Sequence, residues 1–262
     1  MPGIKNEFWE KTESFFVETG NVMMFTANIF TQFFRKPFEH GEFVRQAYRL
    51  GNKSVALIAI TGFILGLVMT LQTQPVLVMF GAQALLPGMV AVSIIREIGP
   101  MVTALLCAGK MSSSIGAELG SMRVTEQLDA MEVSGTNPMK YVVTSRVIAT
   151  TLMVPILTIV ADTVALYGSY VAINIKNNVT LGYFLSNAFS ALSFSDVFPS
   201  VIKTFFFGFF IGLIGCYKGY NASEGTESVG VAANTSVVTA SMVIFFIDLI
   251  AVQVIQLIYG YQ

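Results

Sequence analysis

Two adjacent charges, Arg96 and Glu97, sit inside the apolar run "AVSIIREIGPMVTALL" (residues 91–106), and Gly99 and Pro100 follow at once. A guanidinium can grip an anionic group through two parallel hydrogen bonds. A carboxylate beside it can pair with a cation or turn anions away. Pro100 has no N–H to offer the carbonyl of Arg96, and it disfavours helix at Gly99. The spacing therefore predicts a helix break that brings a free carbonyl, a cation and an acid to one level. Neighbours at i and i+1 diverge on a helix, so the two charges do not simply neutralise one another. Two readings stay open: an ion pair that locks two helices together, or the polar wall of a cavity for substrate or water.

Three further charges fall in apolar runs: Lys203, Asp162 and Asp248. Lys203 is a candidate partner for the cavity, but a lysine about four residues inside a span can also snorkel outward along its own stem. Asp162 and Asp248 read either as buried hydrogen-bonding residues or as proton relays.

The elements that must position these residues are membrane spans. Of 262 residues, 54% are hydrophobic and 12% charged, the latter about half the share found in a soluble domain; mean hydropathy is +0.67. A bilayer crossing takes about 20 apolar residues. The runs 54–79, 139–175, 199–217 and 237–259 meet that length, and 85–108 does so if Arg96 and Glu97 are tolerated inside it. Residues 1–53 form a separate N-terminal part. Phe8, Trp9, Thr12, Phe15 and Phe16 share one helical side, as in a helix lying in the interface, and the greasy run 22–34 is too short to cross. A basic cytoplasmic segment containing Arg35, Lys36, Arg45, Arg49 and Lys53 follows. Five spans with the N-terminus inside and the C-terminus outside put most of the 15 Lys and Arg on the cytoplasmic side. The expected fold is thus all-α and integral to the membrane: interfacial elbow helices, five transmembrane helices (residues 54–259) and one short cytoplasmic helix.

Several function classes drop out. A net charge of −1 gives no attraction to nucleic acid, and one histidine (His40) with two distant cysteines makes no ordinary zinc site. Cys107 and Cys216 both lie in spans and read as packed thiols. The N-terminus lacks the basic-then-apolar order of a signal peptide. The nearest phosphate-loop lookalike, "ALLCAGKM" (residues 104–111), has Ala104 where glycine is needed and Met111 where Ser or Thr should hold magnesium. Energy must come from a partner or from a gradient. A stand-alone ion-coupled transporter or channel, with Glu97, Asp162 and Asp248 as relays, is the rival reading; the missing inverted repeat counts against it.

Between the second and third spans lies "GKMSSSIGAELGSMRVTEQLDAMEVSGTNPMKY" (residues 109–141). Residues 125–133 read as a short helix ended by Gly135, with Leu128 and Met131 on one side and Glu126, Asp129 and Glu132 facing water. A short amphipathic helix between spans suits docking into a groove on a soluble partner, or serves only as a connector.

"REIGP", "GAELGSM" and "EQLDAM", in this order and spacing, together with "KGYNASEGTESVGVAANTSVV" (residues 218–238), resemble the MlaE/YrbE-type permeases of lipid ABC transporters. The resemblance runs over most of the chain from Phe43. It implies a bacterial inner-membrane permease, built as a homodimer, that moves phospholipids or related lipids between the inner membrane and the outer envelope and maintains outer-membrane lipid asymmetry. It further implies cytoplasmic ABC ATPase subunits that bind ATP and Mg, this chain having no cofactor of its own. An MCE-domain protein on the outer side and a small STAS-type accessory protein are the other implied partners. Arg96, Glu97 and Lys203 match the polar cavity positions. Glu126, Gln127, Leu128, Asp129 and Met131 fall on the coupling helix that meets the ATPase.

Overall fold

The structure, a computed structural model, describes residues 3–33, 40–177 and 179–260, with side chains from Phe16 onward apart from Lys176 and Asn177. Among the described residues it is helical with no strand. Five helices are long and apolar enough to cross a membrane: His40–Met79, Gln83–Val124, Met139–Ile175, Phe194–Tyr220 and Thr226–Tyr259.

Helix α1 (Gly3–Phe33) is a single helix rather than the interfacial pair that the sequence predicts. The face expected from Phe8, Trp9, Thr12 and Phe15 lies outside the described side chains, and Arg35 and Lys36 lie outside the described residues. What is visible is how α1 is held. Phe25 meets the rings of Tyr217 and Tyr220, Phe30 meets Phe209, and Glu18 pairs with Lys218.

Helix α2 (His40–Met79) begins well before residue 54, so the basic segment 40–53 is the first part of a span-length helix and not a separate stretch. Its residues are good helix formers, and Glu42 binds both Arg45 and Gln46 one turn on. The second rod is continuous from Gln83 to Val124 and consists of α3 (Leu86–Ser93), α4 (Gly99–Cys107) and α5 (Ser113–Val124). The joints are π turns at Ile94–Ile98 and Ala108–Ser112. The polar segment after residue 108 therefore starts as helix. Its small and apolar residues at 111/112, 115/116 and 119/120 continue one buried face. Helix α6 (Gln127–Val133) crosses the end of this rod. A further π turn, Met139–Thr144, leads into α7 (Ser145–Asn177). The connection from α7 to the next span holds α8 (Leu181–Ala191), which buries Phe184 and Ala188 against the apolar cluster around Val90. Helices α9 (Phe194–Tyr220) and α10 (Thr226–Tyr259) complete the chain.

Glycines bring three of these rods into backbone contact. A side chain at Gly62 or Gly66 would overlap the carbonyls of Ala161 or Ala165 in α7, and one at Gly208 would meet the Thr150 carbonyl. The small-xxx-small spacing in "GFILG" and "GFFIGLIG" thus serves contacts within the chain. Cys107 and Cys216 are buried free thiols, as their positions in spans predict.

The apolar interior comes in two pieces. One runs from the end near residues 127–133 to the middle and includes Leu119, Leu128, Leu157, Phe207 and Ile244; the other lies toward the opposite end and includes Val90, Ile94, Leu166 and Phe184. Between them, the second rod, α7, α9 and α10 contribute Glu97, Asp162, Lys203 and Asp248. That intermediate layer holds the candidate site.

Candidate functional site

Lys203 is the centre of the layer. Helix α9 starts at Phe194, earlier than the expected 199, so Lys203 lies nine residues inside it, about 14 Å at 1.5 Å per residue. At that depth the stem does not snorkel out. The ammonium donates to Glu97 Oε2 at 2.9 Å and to Asp248 Oδ1 at 3.0 Å, and the side chain is only 2% exposed. A buried ammonium costs several kcal/mol unless it is paired and hydrogen-bonded, and two acids from two other helices meet that need. Asp248 is therefore part of the charged set, a role that the sequence alone does not separate from packing or relay.

Arg96 diverges from Glu97, as neighbours on a helix must. Its Nη1 lies 3.7 Å from Asp196 Oδ1, and about half of its side chain is exposed. Asp196 belongs to the first turn of α9, where its carboxylate accepts from the backbone N–H of Ser193 at 3.0 Å. So Arg96 reaches toward the first turn of α9 while Glu97 turns into the layer.

The predicted break at Gly99 and Pro100 is corrected: the helix widens instead of breaking. Gly99 has ordinary right-handed helical angles, and its N–H bonds the Ile94 carbonyl five residues back. Shifting the register by one residue moves the orphan. The carbonyl left without a donor is that of Ile95, since Pro100 has no N–H, and Ser200 Oγ donates to it at 2.6 Å. The burial pattern along the rod marks the wide turn. Buried positions recur at 87, 90/91 and 94, then skip to 99/100, 103/104 and 107/108, a spacing one residue too long for an α-helix. Ser200 itself, and Asp196, carry no such signal and do not figure among the expected site residues.

Asp162 approaches the same turn from α7. Its Oδ1 is buried without a hydrogen-bond partner and rests against Gly99, where a Cβ would overlap it. Any added Cβ would also lie 2.9 Å from the Ile94 carbonyl, so the turn has no room for a side chain at residue 99.

Two cavities flank α9 on opposite faces. One, of about 430 Å³, runs between α9 and α10 with Lys203 in its wall and Phe206, Ile250 and Val254 around it. The other, of about 730 Å³, lies between α7, α8 and α9, with Asp162, Ser200 and a few threonines among mainly apolar walls such as Ile95, Leu166 and Leu185. Both volumes fall within the about 300–1,000 Å³ of small-molecule sites.

Helix α6, where the sequence expects the coupling helix, is fixed at both ends. Glu126 caps it in a left-handed conformation (φ 55°), and Gly135 (φ 82°) ends it with paired bonds, Thr136 N–H to Met131 O and Gly135 N–H to Glu132 O. Leu128 is buried and Met131 packs on the core, while Asp129 pairs with Arg123 at 2.7 Å. Leu128 and Met131 thus root α6 in its own chain. What α6 offers outward is Glu126, Gln127, Ala130 and Val133, the last 91% exposed. Residues 104–111 form helix and π turn, so they present no phosphate loop.

Residues 43–254 match the family described as Permease MlaE. A Rickettsia felis protein named a probable ABC transporter permease is 33% identical over 241 residues, 92% of this chain and 93% of that one. A probable ABC transporter permease of Synechocystis is 34% identical over 220 residues, 84% of each chain. The intermembrane phospholipid transport system permease protein MlaE of Haemophilus influenzae is 35% identical over 209 residues, 79% of this chain and 80% of that one. With a family match from Phe43 to Val254 and relatives aligned along most of their length, the chain belongs to the MlaE permease family.

Proposed function

We propose that this protein is the permease subunit of an ATP-driven transporter that moves phospholipids or related lipids across or out of the inner membrane. It works as a homodimer, with cytoplasmic ABC ATPase subunits seated on α6 and an MCE-domain protein on the outer side; a small STAS-type protein is a further partner. The N-terminus faces the cytoplasm and the C-terminus the periplasm, because Arg45, Arg49, Lys110, Arg123 and Arg146 cluster at the α6 end of the bundle.

The observation that carries the reading is the polar layer inside the spans, with a buried ion triad beside an apolar cavity. Acyl chains fit the groove that Phe206, Ile250 and Val254 line. Lys203 already has two acid partners and is not free to bind phosphate. The exposed Arg96 is, and its planar fork suits a phosphate bidentately once Asp196 is displaced. Glu97 lies at the edge of the triad and occupies Lys203, so an anionic headgroup has to pass it or wait for Lys203 to move. ATPase closure pushes α6, and α6 moves the rod that ends at Val124, because Leu128 is embedded in the core.

The test is ATP-dependent transfer of a fluorescent phospholipid by the permease co-assembled with its ATPase in vesicles. Arg96→Met with Glu97→Gln is expected to lower transfer by about tenfold or more, the effect of one charge-assisted hydrogen bond, while the subunits still co-purify. Unchanged transfer by an intact assembly removes the proposal.

A further inference from the structure

We propose that Ser200 is a positioning residue: by holding the Ile95 carbonyl, it keeps the turn Ile94–Ile98 in its wide register and so keeps Glu97 on Lys203. The inference rests on the reading of the polar layer as the transport site.

The argument is one of hydrogen-bond accounting. In an α-register the Gly99 N–H would bond the Ile95 carbonyl; here it bonds Ile94. The next donor along the chain belongs to Pro100 and does not exist, so nothing in the rod itself can satisfy Ile95. Ser200 does so from α9 at 2.6 Å, and Lys203, one turn further along α9, binds Glu97 at 2.9 Å. Two residues of the wide turn are thereby gripped by two residues of one helical turn opposite. From the other side Asp162 fills the space above Gly99 that a side chain would take.

The alternative state is well defined. If Ser200 lets go, the Ile95 carbonyl is stranded in the wide register, and a return to α-register gives it the Gly99 N–H while moving the unserved carbonyl to Arg96, the exposed residue of the turn. Removing one residue from a turn rotates the two flanking helices, α3 and α4, against each other by about 100°. Glu97 then points away from Lys203, and the ammonium keeps only Asp248. The hydroxyl of Ser200 is thus a small polar contact that decides the direction of a charge it never touches.

The experiment uses the permease–ATPase complex in lipid nanodiscs and a membrane-permeant amine-reactive ester, with mass spectrometry reading acylation at Lys203. In the wild type, Lys203 is shielded by both acids. Ser200→Ala is expected to raise its labelling and lower lipid transfer, each by about tenfold, the worth of a hydrogen bond to a buried acceptor. Ser200→Thr, which keeps the hydroxyl, is expected to restore both. Wild-type labelling of Lys203 in Ser200→Ala overturns the proposal. Raised labelling with unchanged lipid transfer upholds it and instead sinks the transport role of the layer. If Ser200→Ala does not assemble, Ser200→Cys takes its place, because a thiol of similar size is only a weak donor to the Ile95 carbonyl. Labelling of Lys203 in Ser200→Cys is expected to rise above wild type; labelling at the wild-type level overturns the proposal.

Discussion

Two ion clusters, one in the middle of the spans and one near the α6 end, are built as opposites. In the first, a cation sits between two acids: Lys203 with Glu97 and Asp248, joining the second rod, α9 and α10. In the second, an acid sits between two cations: Glu118 with Arg49 at 2.7 Å and Arg146 at 3.2 Å, joining α2, α5 and α7. Both tie three helices, yet their surroundings differ. The mid-span cluster borders a cavity and has an exposed arginine one residue from Glu97. The other borders none of the described cavities, and Arg146, 3% exposed, also donates to the Val142 carbonyl one turn back in its own helical segment. On the proposed reading, charge inside the bundle does two jobs, and the neighbouring empty space is what sets the two clusters apart.

The largest expected effect is at Lys203. Lys203→Met leaves two acids facing each other and should cost about 3–5 kcal/mol in thermal unfolding, with lipid transfer lost. Neutralising the acids as well, with Glu97→Gln and Asp248→Asn, should recover the stability without the transfer. If transfer returns too, the mid-span cluster is merely structural, like its counterpart. Next comes Glu118→Gln, which strips Arg146 of its acid and should cost about 2–3 kcal/mol, the weight of a charged hydrogen bond to a buried partner. Transfer per folded molecule should stay near wild type; a specific loss of transfer would put the second cluster into the transport cycle. The smallest effect on stability belongs to Val133→Asp on the open face of α6, within about 0.5 kcal/mol as for an exposed surface site. ATPase co-purification is nonetheless expected to fall, and an intact complex would move the docking surface off α6.

Ser200 shows where reading the sequence stops. Arg96, Glu97 and Lys203 stand out because a charge in an apolar run is costly and therefore conspicuous. A serine among phenylalanines is not. Pro100 reads as a break because proline removes a donor; the structure keeps the helix by inserting a residue and borrowing a hydroxyl from α9. Leu128 and Met131 share one side of α6, as their spacing predicts, but only packing reveals that this side faces inward. Helix α8 is too short a run to stand out in the sequence, and Phe184 finds its burial between α3 and Tyr170 of α7.

Composition and apolar run length by themselves determined an all-helical chain with five crossings, since a segment in lipid has to satisfy its own backbone and span a fixed thickness. The motifs in residues 96–138 pointed to the family. Tertiary structure alone decided which charges meet: Asp248 joins Lys203 from 45 residues away, Asp196 turns to Arg96, and Asp162 leans on Gly99. The reason is physical. Local hydrogen bonds and hydrophobic length are written along the chain, whereas an ion pair between helices depends on their rotation, and here a single extra residue in one turn sets that rotation.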